Sequence, residues 1–161
     1  QLKYDHPNFT YQIQGQLGDG GVYVSVWTDQ TVPDNLVGVA GLNIEFIPMP
    51  YFGHTYIMDG KAGVIPQYPD DKMTVMKTGG IEQNPIAVGK KFDIAPDDAE
   101  RHITVSSTEQ DLMFYDGRNK AQNGCFVLRS LLPAGKSGKV LELFITAETI
   151  PEKTLRYQKK N

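Results

Sequence analysis

Residues 22–28 read Val-Tyr-Val-Ser-Val-Trp-Thr, and this stretch decides the fold class. Every second residue from Val22 to Thr28 is a valine or a threonine, so these side chains share one side of an extended chain. Tyr23, Ser25 and Trp27 share the other side. A period of two predicts a β-strand with one face in a core. Asp-Gly-Gly at 19–21 predicts a tight turn before it, because glycine accepts a positive φ.

The same pattern of a short apolar or alternating run followed by Gly, Pro, Asp or Asn continues along the chain. The predicted strands are 11–16, 22–28, 42–47, 55–58, 73–76, 92–94, 103–106, 110–114, 126–131 and 140–146. About ten short strands with little helical pattern predict an all-β fold, an antiparallel β-sandwich of the jelly-roll kind. A length of 161 residues suits one domain, 1–161, with an extra N-terminal segment at 1–10 and a C-terminal tail at 147–161.

Composition excludes several classes of function. The net charge of −3 supplies no positive field for nucleic acid, so we expect no nucleic-acid partner. No apolar run reaches about 18 residues, so we expect no membrane-spanning helix. Cys125 is the single cysteine, which rules out an internal disulfide. The chain carries neither a nucleophile elbow nor a phosphate-binding loop, and we therefore expect a protein that is not an enzyme.

Two loops carry the candidate chemistry. The first, at 64–71, reads Val-Ile-Pro-Gln-Tyr-Pro-Asp-Asp and combines the ring of Tyr68 with carboxylates such as Asp71. Sugars are bound by such mixtures, since an aromatic ring packs on their C–H face and carboxylates accept their hydroxyls. The alternative is an ordinary Pro-rich turn with a solvated acidic tip. His54 lies in the aromatic segment 51–56 and is the histidine we single out for function.

The second loop, at 111–124, is rich in oxygen-bearing side chains. Its candidate metal ligands are Asp111, Asp116, Asn119 and Asn123. Calcium prefers six to eight hard oxygen ligands, so the loop suits Ca²⁺. The alternative is a plain turn, because Asp and Asn also favour turns on their own account.

The order of these pieces along residues 40–128 resembles the calcium-dependent, galactose-binding bacterial lectins of the PA-IL type, and more widely the galactose-binding-domain-like sandwiches. The pieces are Tyr-Phe-Gly at 51–53, Tyr-Pro-Asp-Asp at 68–71, Met-Thr-Val-Met-Lys-Thr-Gly at 73–79, Ile-Ala-Val-Gly-Lys-Lys-Phe at 86–92, Ile-Thr-Val at 103–105, Asp111, Tyr-Asp-Gly at 115–117 and Asn-Gly-Cys-Phe-Val at 123–127.

This resemblance implies a calcium ion between the aromatic-Gly corner and the second loop. The ligands it implies are the backbone carbonyl of Phe52 and the side chain of Asp111, with Asp116, Asn119 and Asn123 as candidates for the remaining positions. In that family two sugar hydroxyls bind the ion directly. Tyr68 would replace a histidine that touches the sugar, Asp71 would replace a glutamine, and Tyr51 offers a second ring for stacking.

We therefore expect a non-enzymatic, lectin-like protein that binds galactose-type glycans with Ca²⁺ as cofactor. Its expected sugar-binding residues are Tyr51, His54, Tyr68 and Asp71. Members of the family form oligomers, so the resemblance implies a homo-oligomer, located outside the cell or on a cell or virion surface. The alternative is a structural or assembly subunit of an extracellular filament or virion surface, whose terminal segments add a strand to a neighbour.

Overall fold

The computed structural model describes residues 2–6, 9–69, 73–75, 81–118 and 124–147, with the backbone alone for 2–6, 73–75 and 81. The strands in this part of the chain are β1 (Leu2–His6), β2 (Phe9–Gly18), β3 (Gly21–Thr28), β4 (Gly41–Phe46), β5 (Thr55–Met58), β6 (Lys61–Val64), β7 (Met73–Val75), β8 (Ile81–Gln83), β9 (Ala87–Gly89), β10 (Lys91–Ile94), β11 (Ile103–Ser107), β12 (Leu112–Asp116), β13 (Phe126–Leu131) and β14 (Gly138–Ala147). Two single 3₁₀ turns, Asp34–Leu36 and Met49–Tyr51, are the helical elements described.

The strands form two antiparallel sheets and a small hairpin. The large sheet has the order β1-β2-β3-β14-β11-β10-β5-β6, the small sheet has the order β4-β13-β12-β9, and β7 pairs with β8. This arrangement confirms the predicted all-β, sandwich-like fold with little helix. Among the residues described, no helix has the length and apolar character needed to span a membrane.

The alternating residues 22–28 lie in β3, near the middle of the large sheet. Val26 is buried in the hydrophobic core, whereas Trp27 on the opposite face is 37 % exposed. β3 pairs with β2 on one side and with β14 on the other. The alternation of the sequence therefore separates a core face from a solvent face, as the pleat of a strand requires.

Aromatic rings from both sheets meet in the core. Phe92 of β10 packs on Phe114 of β12 with the ring centres 4.7 Å apart, and Phe46 of β4 lies 6.2 Å from Phe92. Phe126 of β13 extends the cluster from Phe114 at 5.8 Å. Phe92, Phe114 and Phe126 are each 0 % exposed. Ring contacts of this kind join the two sheets by apolar burial and by favourable ring geometry.

All ten predicted strands are present within a few residues of their expected bounds, but four further strands escaped prediction. These are β1, β6, β8 and β9. β1 and β6 close the two edges of the large sheet, β9 closes one edge of the small sheet, and β8 belongs to the isolated hairpin. An edge strand buries little of either face, so its sequence needs no strict alternation. Residues 1–10, expected as an extra segment, thus contribute β1 to the large sheet.

The turn between β5 and β6 shows how one side chain fixes a hairpin. Asp59 and Gly60 both have positive φ, 47° and 78°, as a two-residue type I′ turn requires. The Asp59 carboxylate also accepts hydrogen bonds from the backbone amides of Lys90 and Lys91, at 3.0 and 2.8 Å. These amide bonds lower the pKa of the Asp59 carboxyl. The same residue thus makes the turn and holds it against β10.

Replacing Gly60 by alanine should destabilise the protein by about 1–2 kcal/mol, because an L side chain is strained at positive φ. The matched control is Gly15→Ala in β2, where φ is ordinary and a Cβ would meet nothing within 4 Å. We expect this control to be neutral or slightly stabilising. Urea unfolding of both variants measures the difference, and equal losses of stability would contradict this account of the turn.

Candidate functional site

The site lies where the chain enters β5. The 3₁₀ turn Met49–Tyr51 leads to Gly53, whose φ of 77° turns the chain toward the sheet. The amide of Gly53 donates to the carbonyl of Ile65 at 3.1 Å, and the amide of Ile65 donates to the carbonyl of His54 at 2.9 Å. These two bonds fix the backbone of His54 beside the end of β6.

A second segment, just after β10, lies against the first. The amide of Ala95, a residue with a φ of 50°, donates to the carbonyl of Thr55 at 2.8 Å. The amide of Asp98 then donates back to the carbonyl of Ala95 at 2.9 Å. The resulting tight turn presents Asp97 and Asp98 to the start of β5.

Five side chains meet there, and we call this group the His54 corner: Tyr51, His54, Asp97, Asp98 and Arg101. The Nδ1 atom of His54 lies 2.8 Å from Asp97 Oδ2, and its Nε2 atom lies 4.0 Å from Asp98 Oδ2. Arg101 forms an ion pair with Asp98. The imidazole therefore stands between two carboxylates, one of which also holds a guanidinium.

The hydrogen bonds of the corner keep both carboxylates ionised. The hydrogen bond from the His54 side chain, followed by that from the Thr55 amide, lowers the pKa of Asp97. The hydrogen bond from Arg101 is the largest cause that lowers the pKa of Asp98. Burial is the main cause that raises the pKa of the Tyr51 hydroxyl, which also feels the charges of Arg101 and Asp98. The corner thus combines two anionic acceptors with cationic and phenolic donors.

The corner is accessible to a ligand. The side chain of Asp97 is 48 % exposed and that of His54 is 27 % exposed. Tyr51 is half-buried, with the Phe46 ring set edge-on at 5.7 Å. The backbone amides of Thr55 and Glu100 hold the carboxylates of Asp97 and Asp98, so these acceptors are preorganised.

The structure describes three of the four predicted sugar-binding residues and brings two of them together. Tyr51 and His54 meet in the corner. Tyr68 is 77 % exposed. It lies three residues after Ile65, which is hydrogen-bonded to His54, so the Cα atoms of Tyr68 and Ile65 are at most about 11 Å apart. Asp71 lies outside the described residues.

The predicted metal ligands Phe52 and Asp116 meet around an arginine. Arg118 donates from Nε and Nη2 to the two carboxylate oxygens of Asp116, at 2.8 and 2.6 Å. Its guanidinium lies 4.9 Å from the ring centre of Phe52 and 4.7 Å from that of Phe126. The Asp116 carboxylate and the Phe52 ring therefore share one cationic partner, Arg118.

The same arginine fastens the loop that carries Tyr68. Its Nη1 donates to the carbonyl of Gln67 at 2.7 Å, and its Nη2 donates to the carbonyl of Pro66 at 2.9 Å. We call this set of contacts the Arg118 clasp. Because Asp116 is 2 % exposed, its charge needs this partner, and the clasp is a structural centre of the fold.

Asp111 does not join this group. It precedes β12, whereas Asp116 ends it, and five residues of strand span about 17 Å. The Asp111 carboxylate is paired with Lys90 at 2.8 Å. Within the described ranges, no group of three or more His, Cys, Asp or Glu side chains is placed to hold a metal ion. Asn119 and Asn123 lie outside the described residues, so the implied calcium site stays a prediction.

Sequence reasoning missed four members of these groups: Asp97, Asp98 and Arg101 in the His54 corner, and Arg118 as partner of Asp116. A weak signal existed for the first two, since Pro-Asp-Asp at 96–98 marks a turn. No local pattern indicates that this turn lies against residue 54, because the contact bridges 43 residues of sequence.

No family model, no curated protein and no solved structure matches this chain. The resemblance to the PA-IL-type lectins therefore stays a prediction.

Replacing Arg118 by methionine should destabilise the protein by about 3–5 kcal/mol, because it leaves the buried Asp116 carboxylate without its charge partner. Lys136→Met is the matched control, since Lys136 pairs with Glu109 at the surface and should cost at most about 1 kcal/mol. Chemical denaturation measures both. A loss for Arg118→Met no larger than that of the control would show that the clasp is not structural.

The lowered pKa of Asp97 predicts a pH-dependent stability. A carboxyl whose folded pKa lies below its ordinary value near 3.8 stabilises the fold above that value and loses the effect as pH falls through the folded pKa. Asp97→Asn should therefore lower Tm at pH 7, and the difference from wild type should shrink below about pH 4. Asp19→Asn, in the exposed β2–β3 turn, controls for the loss of one charge. Thermal melts from pH 7 to pH 2.5 measure the trend, which a constant difference would contradict.

Proposed function

We propose that this protein is a carbohydrate-binding protein, not an enzyme, and that the His54 corner binds the sugar. The observation that carries the proposal is the fixed, partly exposed constellation of His54, Asp97, Asp98 and Arg101 beside the phenol of Tyr51. The proposal keeps two of the residues that the sequence indicated, Tyr51 and His54, and gives them new partners.

The chemistry of the corner matches that of a sugar. Each sugar hydroxyl both donates and accepts a hydrogen bond, so it can bridge an ionised carboxylate and a cationic or phenolic donor. Asp97 and Asp98 supply acceptors, and Arg101 supplies donors in a planar fork. The exposed ring of Tyr68, on the loop that the Arg118 clasp holds, offers a surface for the apolar face of the sugar.

The proposal also includes the sugar class, the location and the oligomeric state that the sequence predicts. The ligand is a galactose-type glycan, displayed outside the cell or on a cell or virion surface. One shallow site binds weakly, so assembly into a homo-oligomer would raise the avidity for glycans that carry many copies of the sugar. Calcium dependence stays a prediction of the resemblance, and no step of the binding described here passes through a metal.

A glycan array followed by calorimetry on the best ligand tests the proposal. Asp97→Asn and Arg101→Met should each weaken binding about tenfold or more, since each removes a charge-assisted hydrogen bond. Lys136→Met, remote in sequence from the corner and paired with Glu109, is the control and should bind as wild type. Failure of the wild-type protein to bind any glycan, or equal affinity of the corner variants, would refute the proposal.

Repeating the calorimetry with EDTA, and then with added Ca²⁺, separates the sugar site from the metal. If the corner binds sugar by the side chains named above, affinity should persist in EDTA. Loss of affinity that Ca²⁺ restores would instead support the lectin mechanism that the resemblance implies, with ligands that include residues outside the described ranges.

One observation favours the second candidate function, an assembly subunit of a filament or virion surface. β4 is an edge strand of the small sheet, and an apolar cavity of about 330 Å³ lies between β2, β3 and β4. Its lining includes Phe9, Tyr11, Val39 and Leu42. An edge strand beside an apolar cavity is the geometry in which a strand of a second copy can pair and insert side chains.

Light scattering and electron microscopy test this candidate. Val39 lines the cavity and is 70 % exposed, so Val39→Lys should leave the fold intact and dissociate any ordered polymer that the wild-type protein forms. Val88→Lys, on the edge strand β9 at the far side of the small sheet, is the control. A wild-type protein that stays monomeric at high concentration would remove the assembly function.

A further inference from the structure

The outer face of the large sheet carries a row of aromatic rings that the His54 corner does not use. Alternation along β3 turns Tyr23 and Trp27 away from the core, and they are 39 % and 37 % exposed. Phe144 of β14 lies directly opposite Tyr23 in the ladder. We call this surface the ring face. It consists of Tyr23, Trp27 and Phe144 together with Gln12, Gln14 and Gln16 of β2.

Trp27 lies along the strand. Its indole Nε1 donates to Ser25 Oγ at 2.9 Å, and Ser25 is the next residue of β3 on the same face. Ser25 is only 8 % exposed although it belongs to the outer face of a sheet. The indole therefore reaches back over Ser25, with its polar N–H already satisfied, and the exposed part of the ring is left for apolar contact.

Tyr23 also rests on the sheet. Its ring centre is 4.5 Å from that of Phe144. A Cβ placed on Gly18 would lie 2.5 Å from Tyr23 Cε2, and one placed on Gly21 would lie 2.4 Å from the carbonyl oxygen of Ile145 and 2.8 Å from Phe144 Cζ. Glycine at these two positions leaves room for both rings to lie close to the backbone. A larger residue at either position would collide with a ring that lies against the sheet.

A row of amides runs beside the rings. In the β2–β3 register Gln12 lies opposite Trp27, Gln14 opposite Ser25 and Gln16 opposite Tyr23. Residues opposite one another in an antiparallel pair point to the same face, so the three amides and the two rings share one surface. An amide both donates and accepts, and it can therefore bind a hydroxyl in either sense.

The charges described next to this surface cancel. Lys139 and Glu142 of β14 pair with each other at 2.9 Å, with Lys139 opposite Trp27 and Glu142 opposite Ser25. The two charged side chains of β14 beside the rings are therefore already paired with each other. A surface of rings and amides favours a neutral ligand that alternates apolar faces with hydroxyl groups.

We propose that the ring face binds a linear, neutral polysaccharide, as a second carbohydrate site separate from the His54 corner. Trp27 and Tyr23 are four residues apart on one strand, which is about 13 Å. A single sugar ring cannot reach both, so the ligand must be an oligomer lying along β3, with sugar faces on the rings and hydroxyls on the glutamines. The inference rests on the proposed function for the class of ligand, but on none of its residues.

The single tryptophan of the chain makes the test direct, because all tryptophan emission comes from the ring face. The intact protein is titrated with cellohexaose, xylohexaose and mannohexaose, and with the matching monosaccharides. At least one hexasaccharide should shift or quench the emission of Trp27 with saturation, and its monosaccharide should not. Absence of a saturable response to all three hexasaccharides, or an equal response to a monosaccharide, would overturn the proposal.

Two variants test whether the oligosaccharide binds on the ring face. Tyr23→Ala should weaken the response about tenfold, since it removes one stacked ring. Gln16→Ala changes an exposed side chain that folding does not need, and it should weaken binding by about fivefold through the lost hydrogen bond. Val88→Ala, which removes an exposed apolar side chain from β9 of the small sheet, is the matched control and should titrate as wild type. Unchanged affinity in both ring-face variants would overturn the proposal.

The corner variants distinguish this inference from the proposed function. Asp97→Asn and Arg101→Met should leave the hexasaccharide titration unchanged. If they abolish it, the sugar site is the corner alone, and the ring face is refuted while the proposed function stands. A tryptophan response that depends on protein concentration and not on sugar would identify the ring face as a protein interface and would also refute the proposal.

Discussion

Contact between aromatic rings of the two sheets is the constraint on which the rest of the molecule depends. Phe92 and Phe114 come from different sheets, are fully buried, and pack with ring centres 4.7 Å apart. Once these rings meet, β10 and β12 have fixed positions, and so do the residues just beyond the ends of these strands. The turn after β10 then brings Asp97 to His54, and the end of β12 brings Asp116 under Arg118. The polar sites are thus consequences of apolar packing.

Much of this fold could be predicted from the sequence, because interior strands must separate a core face from a solvent face. β3 and β5 illustrate this point, since the expected bounds 22–28 and 55–58 agree with the structure to within one residue. The edge strands β6 and β9 could not be found in the same way. β6 is largely exposed, and three-residue β9 is too short to show a period. Pairing between strands distant in sequence, such as β3 with β14, is likewise invisible to a local pattern.

The candidate site was predictable only in part, for the same reason. An aromatic segment containing Tyr51 and His54 is visible along the chain, and it proved to be a corner of the structure. Its partners are Asp97 and Asp98, more than 40 residues away, and only the antiparallel pairing of β5 with β10 brings them near. Arg118, whose guanidinium lies beside the ring of Phe52 and pairs with the carboxylate of Asp116, was not predicted. An arginine two residues after an aspartate is a common surface pattern, so its burial between two rings could not be anticipated from spacing.

The central claim is that a sugar binds at the His54 corner. Its most direct test is to map amide chemical shifts by ¹H–¹⁵N NMR while a galactose-type glycan is added to the uniformly labelled protein. The account predicts saturable shifts at the amides of His54, Thr55, Asp97 and Asp98, with the core amides of β12 and β13 unmoved. Binding at the corner would be contradicted if saturable shifts occurred elsewhere while the chemical shifts of these four amides stayed constant. It would also be contradicted if no glycan that an array identifies caused any shift.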